Sequence, residues 1–321
     1  MQATLDDFTV LSSSPEAKEA FRKAIDETLD AILGSIEDDS AFSGIDPYEL
    51  RKRIGELGFL PDAGKGWEDT MRSVRETILP NMLRTWSPSY MPHLHSPALI
   101  ESIASELIIA AYNNSMDSWD QSPAATEIEE SMIRGLCRLF GYGEDADGTF
   151  TSGGSQSNMA AAIAMRDLYI ERRLGWDVKK RGLPPEAGKL RMYTSEIAHF
   201  SFQKSAHIMG LGYDAVGLLP VDSKARIDIP KAREIIRRDR KEGDLPFLIV
   251  ATAGTTDFGS IDDIKALRDT ADEYGCLLHV DAAYGSALIM SGRCRDRLGR
   301  IELADSITID FHKMFPLPIS C

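Results

Sequence analysis

The sequence is short of cysteine, of clustered basic residues and of long apolar runs. Its four cysteines form no C-x-x-C pair and have no histidine partner at metal-ligand spacing, so we expect no metal site. Cysteine that is sparse and unpatterned is typical of a reducing, cytoplasmic compartment. The net charge of −14 and the lack of a Lys/Arg stripe on any predicted helix argue against nucleic acid or an anionic membrane as a partner.

The sequence also argues against membrane insertion and secretion. The most apolar window, Leu107–Tyr112, is far too short to span a bilayer. Residues Met1–Asp7 are acidic and lack the apolar core of a signal peptide. A chain of 321 residues is long enough to bury a real core and usually forms about two domains. We therefore expect a cytoplasmic, globular protein.

The first part of the chain has the pattern of helices. Ser14 followed by Pro15 is a typical helix start, because serine caps the helix and proline is tolerated in its first turn. Asp46 and Pro47 repeat this signal for a second helix, and apolar residues recur at helical spacing after the first. We therefore predict a helical N-terminal segment over residues 1–95.

From residue 96 onward, helical patterns alternate with short β-rich runs. The predicted helices are 100–112, 124–140, 156–173, 199–210, 230–240 and 262–274, and the predicted strands are 190–194, 215–219, 246–252, 276–281 and 305–310. Such alternation predicts an α/β fold whose mostly parallel sheet is covered on both faces. Ligands of these sheets bind beyond the carboxyl ends of the strands.

A Gly/Ser turn, Thr151–Asn158, leads into an alanine-rich helix. The free N–H groups and positive dipole of a helix start, together with the hydroxyls of the turn, are suited to bind an anion such as phosphate. The turn is neither a Walker loop nor a GxGxxG fingerprint. Plain helix capping within a tight turn explains the same residues equally well.

Two strand ends carry an amine and a carboxylate. Lys313 follows the last predicted strand, and a lysine amine in this setting can form a Schiff base with an aldehyde once part of its population is neutral. Asp281 ends the preceding strand, where a buried carboxylate needs a cationic or hydrogen-bonding partner. The alternatives are a surface lysine and a helix-capping aspartate, each common at such positions.

Other strand ends carry further candidates for the same site. His199 offers a ring that can stack on a flat cofactor, although a capping or core histidine is the more common case. In the pair Thr255-Thr256, a hydroxyl can reach a cofactor or merely form the turn. His312 is placed to contact a phosphate. The combined order of anion turn, histidine, hydroxyl turn, aspartate and lysine favours a pyridoxal phosphate site over the separate alternatives.

Five segments give the chain a clear resemblance to the group II, fold type I pyridoxal-phosphate-dependent amino-acid decarboxylases. They are Ser152–Asn158, Ala198–Ser201, Ala253–Thr256, His279–Tyr284 and His312-Lys313. The likeness extends over residues 88–321 and implies the aspartate-aminotransferase-like large domain over residues 96–321. The cofactor that the resemblance implies is pyridoxal 5'-phosphate, and the reaction is the decarboxylation of an L-amino acid to an amine and CO₂.

The resemblance also implies a role for individual residues. Lys313 carries the cofactor covalently, Asp281 pairs with its ring nitrogen and His199 stacks on the ring. The residues that hold the phosphate are Gly154, Ser155, Gln156 and His312, and those that line the cofactor are Thr256 and Ala283.

Within the family, Asn113–Pro123 is most similar to the branch that acts on diamino acids, such as L-2,4-diaminobutyrate and the lysine of siderophore pathways. Asp117 or Asp120 can pair with the distal ammonium of such a substrate, or both are ordinary loop acids. His93 and His95 match the family's substrate-side loop. The alternative functions are decarboxylation of an aromatic or acidic amino acid, aldehyde synthesis, amino transfer, and a catalytically weak cofactor-binding remnant.

The resemblance implies a homodimer that the N-terminal helices embrace, with the active site at its interface. It also implies a further strand, a mobile loop with a proton-donating tyrosine and a small C-terminal domain, all beyond Lys313. Because the sequence ends at Cys321, we expect the 321-residue chain alone to bind the cofactor weakly and to decarboxylate poorly.

Overall fold

The computed structural model describes residues 10–60, 62, 64–91 and 93–319. The acidic start Met1–Asp7 and the last cysteine, Cys321, entered the expectations above but lie outside the described residues. The chain divides into two compact units, Met1–His93 and Leu94–Cys321. That the first segment embraces a partner subunit stays a prediction.

The first unit is helical, and two of its helices begin where the sequence predicts. Its helices are α1 (Pro15–Ser35), α2 (Pro47–Glu56) and α3 (Gly66–Ser73), and α3 continues as one π-helical turn, Val74–Ile78. The Ser14 hydroxyl accepts a hydrogen bond from Ala17 N at 3.1 Å. The Asp46 carboxylate accepts one from Tyr48 N at 2.9 Å. These two bonds satisfy N–H groups that the first turn of a helix leaves without partners.

The second unit alternates helices and strands. Its helices are α4 (Ile100–Tyr112), α5 (Pro123–Leu139), α6 (Gly154–Leu174), α7 (Val178–Arg181), α8 (Ser201–Ile208), α9 (Ile229–Glu242) and α10 (Ile264–Tyr274). Its strands are β1 (Leu190–Ser195), β2 (Val216–Leu219), β3 (Leu245–Thr252), β4 (Leu277–Asp281) and β5 (Ser306–Thr308). The helix predicted from residue 199 begins two residues later, because His199 lies in the turn that precedes α8.

The five strands form one parallel sheet in the order β2-β1-β3-β4-β5. Thr252 is paired with Asp281, and Asp281 is paired in turn with Thr308, so three strands end side by side. The fold class predicted from the sequence, an α/β fold with a mostly parallel sheet, is therefore confirmed. The register brings the segments that follow β3, β4 and β5 to one edge of the sheet.

Two apolar cores cover the two faces of this sheet. One core contains side chains of α9 and α10, among them Ile236 and Leu267, both fully buried. The other contains side chains of α6 and α8, among them Ile170 and Phe202. Burying a large apolar side chain contributes roughly 1.5–3 kcal/mol, so these two layers hold the sheet and α6 in a fixed relation. That relation sets the geometry of the site described next.

The second unit also requires a close approach of two backbone segments. Gly285 N donates to Ala253 O at 3.0 Å, and a Cβ on Gly285 would lie 2.2 Å from that same oxygen. Only glycine fits here, because real Cβ atoms do not come so close to a carbonyl oxygen. The contact fixes the turn after β4 against the turn after β3.

Candidate active site

A pocket of about 210 Å³ lies at the carboxyl ends of β3, β4 and β5, beside the start of α6. Its lining residues are Leu94, Gly154, Ser155, Asn158, His199, Thr252, Gly254, Thr256, Asp281, Ala283, Tyr284, Asp310, His312 and Lys313. They include eight of the nine residues that the sequence predicts to bind the cofactor; the ninth, Gln156, is not among them. The position agrees with the rule that ligands of open parallel sheets bind at this edge.

The start of α6 forms one wall of the pocket. The helix is preceded by Gly153, which has no side chain to cap it, and its φ of 136° is a conformation that favours glycine. Gly153 O accepts from Gln156 N at 2.9 Å and from Ser157 N at 3.1 Å. The N–H groups of Gly154 and Ser155 come before these and have no acceptor within an α-helix. This wall is therefore suited to bind an anion.

Lys313 also lines the pocket and lies in the turn after β5. Its Nζ is 2.9 Å from Asp310 Oδ2, and the lysine side chain is 25% exposed whereas that of Asp310 is 4% exposed. His312 Nε2 lies 3.8 Å from the same carboxylate oxygen. Lys313 is therefore not an ordinary surface lysine, because its amine lines a pocket and is paired with a buried carboxylate.

Asp281 lines the pocket and is 6% exposed. Its Oδ2 accepts from Asn158 Nδ2 at 2.8 Å, and its Oδ1 accepts from Ala283 N at 3.1 Å. Two donors fix the orientation of this carboxylate and leave some of its lone pairs free. A buried carboxylate with free lone pairs is a suitable partner for a protonated ring nitrogen.

His199 lines the pocket, and its ring also forms a hydrogen bond with the backbone at the start of α8. Its Nδ1 accepts a hydrogen bond from Ser201 N at 3.3 Å, as the capping alternative implies. Burial lowers the pKa of His199, with Asp281 acting in the opposite direction, so the ring is mainly neutral at pH 7. Because Nδ1 is an acceptor, Nε2 carries the proton of the neutral ring.

The two threonines after β3 have different roles. Thr255 Oγ1 lies 2.7 Å from Ser260 Oγ within the turn, so this hydroxyl stabilises the loop. Thr256 lines the pocket. Thr252, at the end of β3, also lines the pocket, and its buried Oγ1 has no hydrogen-bond partner within the described residues.

Several predicted residues are not among those that line the pocket. Gln156 Oε1 instead accepts from Ser152 N at 2.9 Å, which closes the turn before α6. His95 is half-buried, and Asp117 and Asp120 are exposed in the loop after α4. Asp120 Oδ1 accepts from Ser118 Oγ at 2.7 Å. His93 belongs to the first unit, where its ring lies 6.2 Å from that of Tyr90.

Two important residues of the pocket have no role in the sequence-based prediction. Asn158 is one helical turn after Gly154, and this i, i+4 spacing is the signal that places both on one face of α6. Asp310 precedes Lys313 by three residues, a spacing that allows an ion pair within a single turn. Neither spacing alone distinguishes a functional group from an ordinary polar residue.

A second and larger cavity, of about 580 Å³, is lined by the segments 145–151 and 305–311 and by α5. Most of its lining side chains are apolar, among them Ile133, Phe140 and Phe150. Lys313, His199 and Asp281 are not part of it. The three residues predicted as catalytic therefore line the smaller pocket.

A parallel α/β sheet with an amine, a buried carboxylate and an anion-binding helix start at one edge defines a large domain of the pyridoxal-phosphate-dependent class. Comparison with known proteins specifies the family. The model of the pyridoxal-dependent decarboxylase conserved domain matches residues 52–321, so this chain belongs to that family. The resemblance drawn from the sequence and the predicted cofactor of the family are both confirmed.

Individual relatives agree with this assignment. The chain is 38% identical to an L-2,4-diaminobutyrate decarboxylase of Acinetobacter baumannii over 309 residues, which are 94% of this chain and 60% of that protein. It is 39% identical to an enzyme of the same name from Rhizobium meliloti (strain 1021) over 314 residues, which are 97% of this chain and 60% of that protein. The chain thus spans about 60% of the length of these curated relatives.

A solved structure from Vibrio parahaemolyticus superimposes with a TM-score of 0.93 at 39% identity. It is described as the glutamate decarboxylase domain of diaminobutyrate-pyruvate transaminase and L-2,4-diaminobutyrate decarboxylase. The match covers 97% of this chain and 68% of that one. Mouse CSAD is similar with a TM-score of 0.86 at 29% identity, over 96% of this chain and 63% of that one.

The residues of the pocket fit pyridoxal phosphate. A Cβ on Gly154 would lie 2.8 Å from Asp310 Oδ2 and 3.2 Å from Ala283 Cβ, so the absence of a side chain keeps this corner open for a ligand. His312 Nδ1 is buried and has no hydrogen-bond partner in the part of the chain that the structure describes. A buried polar atom of this kind is costly unless a ligand satisfies it, and a phosphate oxygen is a suitable acceptor.

Proposed function

We propose that this chain forms the cofactor-binding part of a pyridoxal-phosphate-dependent amino-acid decarboxylase. The observation that carries the proposal is that Lys313 and Asp281 line one pocket together with the first turn of α6. This chemistry requires an amine for covalent attachment, a carboxylate for the ring nitrogen and an anion site for the phosphate. An amine, a carboxylate and a helix start line one space of about 210 Å³, which supports the proposal.

In this proposal each group of the cofactor has its own residues. Gly154 and Ser155 would hold the phosphate through their N–H groups, together with His312. Lys313 would hold the aldehyde carbon through Nζ, and Asp281 would hold the ring nitrogen. The residues that would contact the ring itself are His199, Thr256 and Ala283. When bound, the cofactor supplies an electron-accepting ring.

The chain's own residues then keep the necessary protons in place. Two hydrogen bonds fix the orientation of the Asp281 carboxylate, which would pair with the proton on the ring nitrogen. His199 is neutral and holds its single proton at Nε2, because Nδ1 accepts from Ser201 N. A neutral ring stacks on a cofactor without adding charge to the site. Lys313 Nζ donates a hydrogen bond to Asp310 Oδ2 at 2.9 Å.

As substrate we propose a diamino acid, with L-2,4-diaminobutyrate as the first choice. Two relatives at 38% and 39% identity have the name of a decarboxylase of this substrate, which supports the choice. Asp117 and Asp120 are the acids that we assign to the distal ammonium. Both are exposed and do not line the pocket of their own subunit, so contact would require movement of the loop or a pocket of the partner subunit.

A substrate panel with the full-length gene product tests this proposal. CO₂ release and amine products are measured with 2,4-diaminobutyrate, lysine, glutamate and an aromatic amino acid, and Lys313→Ala is the control without the attachment amine. We expect 2,4-diaminobutyrate to have the highest kcat/KM and Lys313→Ala to lack the absorbance of covalently bound cofactor. A clear preference for glutamate or an aromatic substrate would overturn the substrate assignment, and an aldehyde or keto-acid product would overturn the reaction.

We also propose that the protein is a homodimer. Helix α4 supports this, because it is rich in apolar residues and none of its residues is buried within the chain. Ile100, Ile108 and Ile109 are each more than 60% exposed. An apolar helix with no covering layer is typical of a subunit interface. In a sedimentation experiment, the full-length protein should be a dimer. The variant Ile108→Glu should contain a larger fraction of monomer. If the unmodified protein is only a monomer at micromolar concentration, the proposal is contradicted.

A cytoplasmic location is part of the same proposal. Its support is that the three described cysteines, Cys137, Cys276 and Cys294, are all free thiols, as is usual in a reducing compartment. None of the described helices has the length and apolarity needed to cross a bilayer. Fractionation of the source cells, with detection of the protein in each fraction, provides the measurement.

A further inference from the structure

A line of buried polar groups lies behind Asp281. Its carboxylate Oδ2 is 2.8 Å from Asn158 Nδ2, and Asn158 Oδ1 is 3.1 Å from His279 Nε2. His279 Nδ1 is 2.7 Å from Ser306 Oγ. Asn158 is 1% exposed and His279 is fully buried. Three elements, α6, β4 and β5, therefore meet in one hydrogen-bonded chain that ends at the pocket.

The carboxylate determines the position of every proton in this chain. Asp281 Oδ2 accepts from Asn158 Nδ2, so the amide of Asn158 directs Nδ2 toward Asp281 and Oδ1 toward His279. Oδ1 is an acceptor, so His279 carries its proton on Nε2. Its Nδ1 then accepts from the Ser306 hydroxyl. The second Nδ2 hydrogen of Asn158 is used as well, because Nδ2 lies 3.0 Å from Ser201 Oγ.

The arrangement requires a neutral imidazole at position 279. Burial lowers the pKa of His279 to about 4, against the opposing effect of Asp281, so one ring proton is present at neutral pH. The neighbours Leu278 and Val280 point to the other face of the sheet, where both are fully buried in an apolar core. In β4, residues 279 and 281 face the same side, toward Asn158.

We propose that Asn158 and His279 are positioning residues that keep the Asp281 carboxylate directed at the ring nitrogen of the cofactor. The proposal rests on the proposed function, because it assumes that pyridoxal phosphate occupies the pocket. His279 acts through Asn158: its N–H fixes the amide, and the fixed amide presents a donor to the carboxylate. Without that donor, Asp281 loses one of its two hydrogen bonds and its ability to hold a protonated ring is weakened.

The test compares two ligands and four variants of the full-length protein. The ligands are pyridoxal phosphate and its analogue with carbon in place of the ring nitrogen, and the dissociation constants are measured by fluorescence titration. The variants are Asn158→Asp, His279→Leu, His279→Gln and, as the control, Thr270→Val. Thr270 is fully buried on α10, on the opposite face of the sheet, so its substitution measures the general effect of removing a buried polar group.

We expect the unmodified protein to bind pyridoxal phosphate about tenfold more tightly than the analogue, because a hydrogen bond to a charged group contributes about this much affinity. Asn158→Asp and His279→Leu should weaken binding of pyridoxal phosphate and leave that of the analogue nearly unchanged, so the ratio falls toward one. His279→Gln keeps an N–H donor and should retain most of the ratio, and Thr270→Val should retain all of it. Thermal unfolding of each cofactor-free variant confirms that it is folded.

The outcomes separate this inference from the proposed function. If the unmodified protein binds neither ligand, the proposed function is wrong. If the unmodified protein prefers pyridoxal phosphate to the analogue, and Asn158→Asp and His279→Leu retain the same preference, the positioning role is wrong and the proposed function stands. Equal weakening toward both ligands would mean that Asn158 and His279 have only a structural role, which also overturns the inference.

Discussion

Lys313 Nζ lies 2.9 Å from Asp310 Oδ2, and the same carboxylate oxygen would lie 2.8 Å from a Cβ on Gly154. A single aspartate is thus close both to the amine and to the first turn of α6. The carboxylate is nearly buried and pairs with the lysine ammonium. It also adds negative charge beside a helix start that is otherwise suited to an anion.

This relation predicts the effect of Asp310→Asn. The substitution removes the ion pair that holds the Lys313 amine and the repulsion that opposes a phosphate at α6. We expect the variant to attach pyridoxal phosphate several-fold faster, as measured by stopped-flow absorbance. Asp305→Asn is the matched control, because Asp305 pairs with Arg268 outside the pocket. Slower attachment in Asp310→Asn alone would mean that the carboxylate is needed to orient the amine.

The second prediction concerns Gly154→Ala. The added Cβ would lie 2.8 Å and 3.0 Å from the carboxylate oxygens of Asp310, so either the aspartate or the start of α6 must move. We expect affinity for pyridoxal phosphate to fall about tenfold or more, since N–H donors act only at close range. In the control Gly135→Ala on α5, a Cβ has nothing within 4 Å, and affinity should not change. Unchanged affinity in Gly154→Ala would remove α6 from the proposed phosphate site.

The elements of the second unit are largely predictable from local sequence. Hydrophobic periodicity is a property of neighbouring residues, so α4, α6 and β3 are predicted to within two residues. The parallel arrangement then follows from helix–strand alternation, and it places Asp281 and Lys313 at a common edge. Strand β5 is shorter than predicted, three residues in place of six, because the chain turns away after Thr308 to bring Asp310 to the pocket.

The polar contacts of the site are less accessible from sequence. Asn158 and Asp281 are 123 positions apart, and their bond depends on how α6 packs against β4. No local pattern decides that Thr256 lines the pocket while Thr255 stabilises the turn. Asp117 and Asp120 show the converse difficulty, because an acidic loop suggests a substrate contact that their own pocket does not contain.

The third prediction concerns stability, at Gly285. A Cβ at this position would lie 2.2 Å from Ala253 O, and backbone on both sides prevents an easy adjustment. We expect Gly285→Ala to lower the free energy of unfolding by about 1–3 kcal/mol or more, as overpacking does. Urea denaturation measures the change. Gly292→Ala is the control, because a Cβ there has nothing within 4 Å. Equal stability of the two variants would show that the turns after β3 and β4 separate at little cost.

The fourth prediction concerns pH and involves two buried groups with opposite signs. Burial lowers the folded-state pKa of His279 from 6.5 to about 4, so the folded protein binds fewer protons and its stability is lost as the pH falls through this window. Burial raises the pKa of Asp262 from 3.8 to about 6, so the stability from this group is present at low pH and is lost as the pH rises toward 6.

The two effects on stability have opposite signs between about pH 4 and pH 6. A variant that lacks one of the two groups should therefore show the pH dependence of the other. His279→Gln should become relatively more stable at pH 5 than at pH 7, compared with the unmodified protein, because the penalty for protonating a buried imidazole is gone. Asp262→Asn should shift in the other direction, toward relatively lower stability at pH 5. Urea unfolding at the two pH values measures both, with Thr270→Val as the non-titrating control. The same direction of shift in both variants would contradict the opposed protonation of His279 and Asp262.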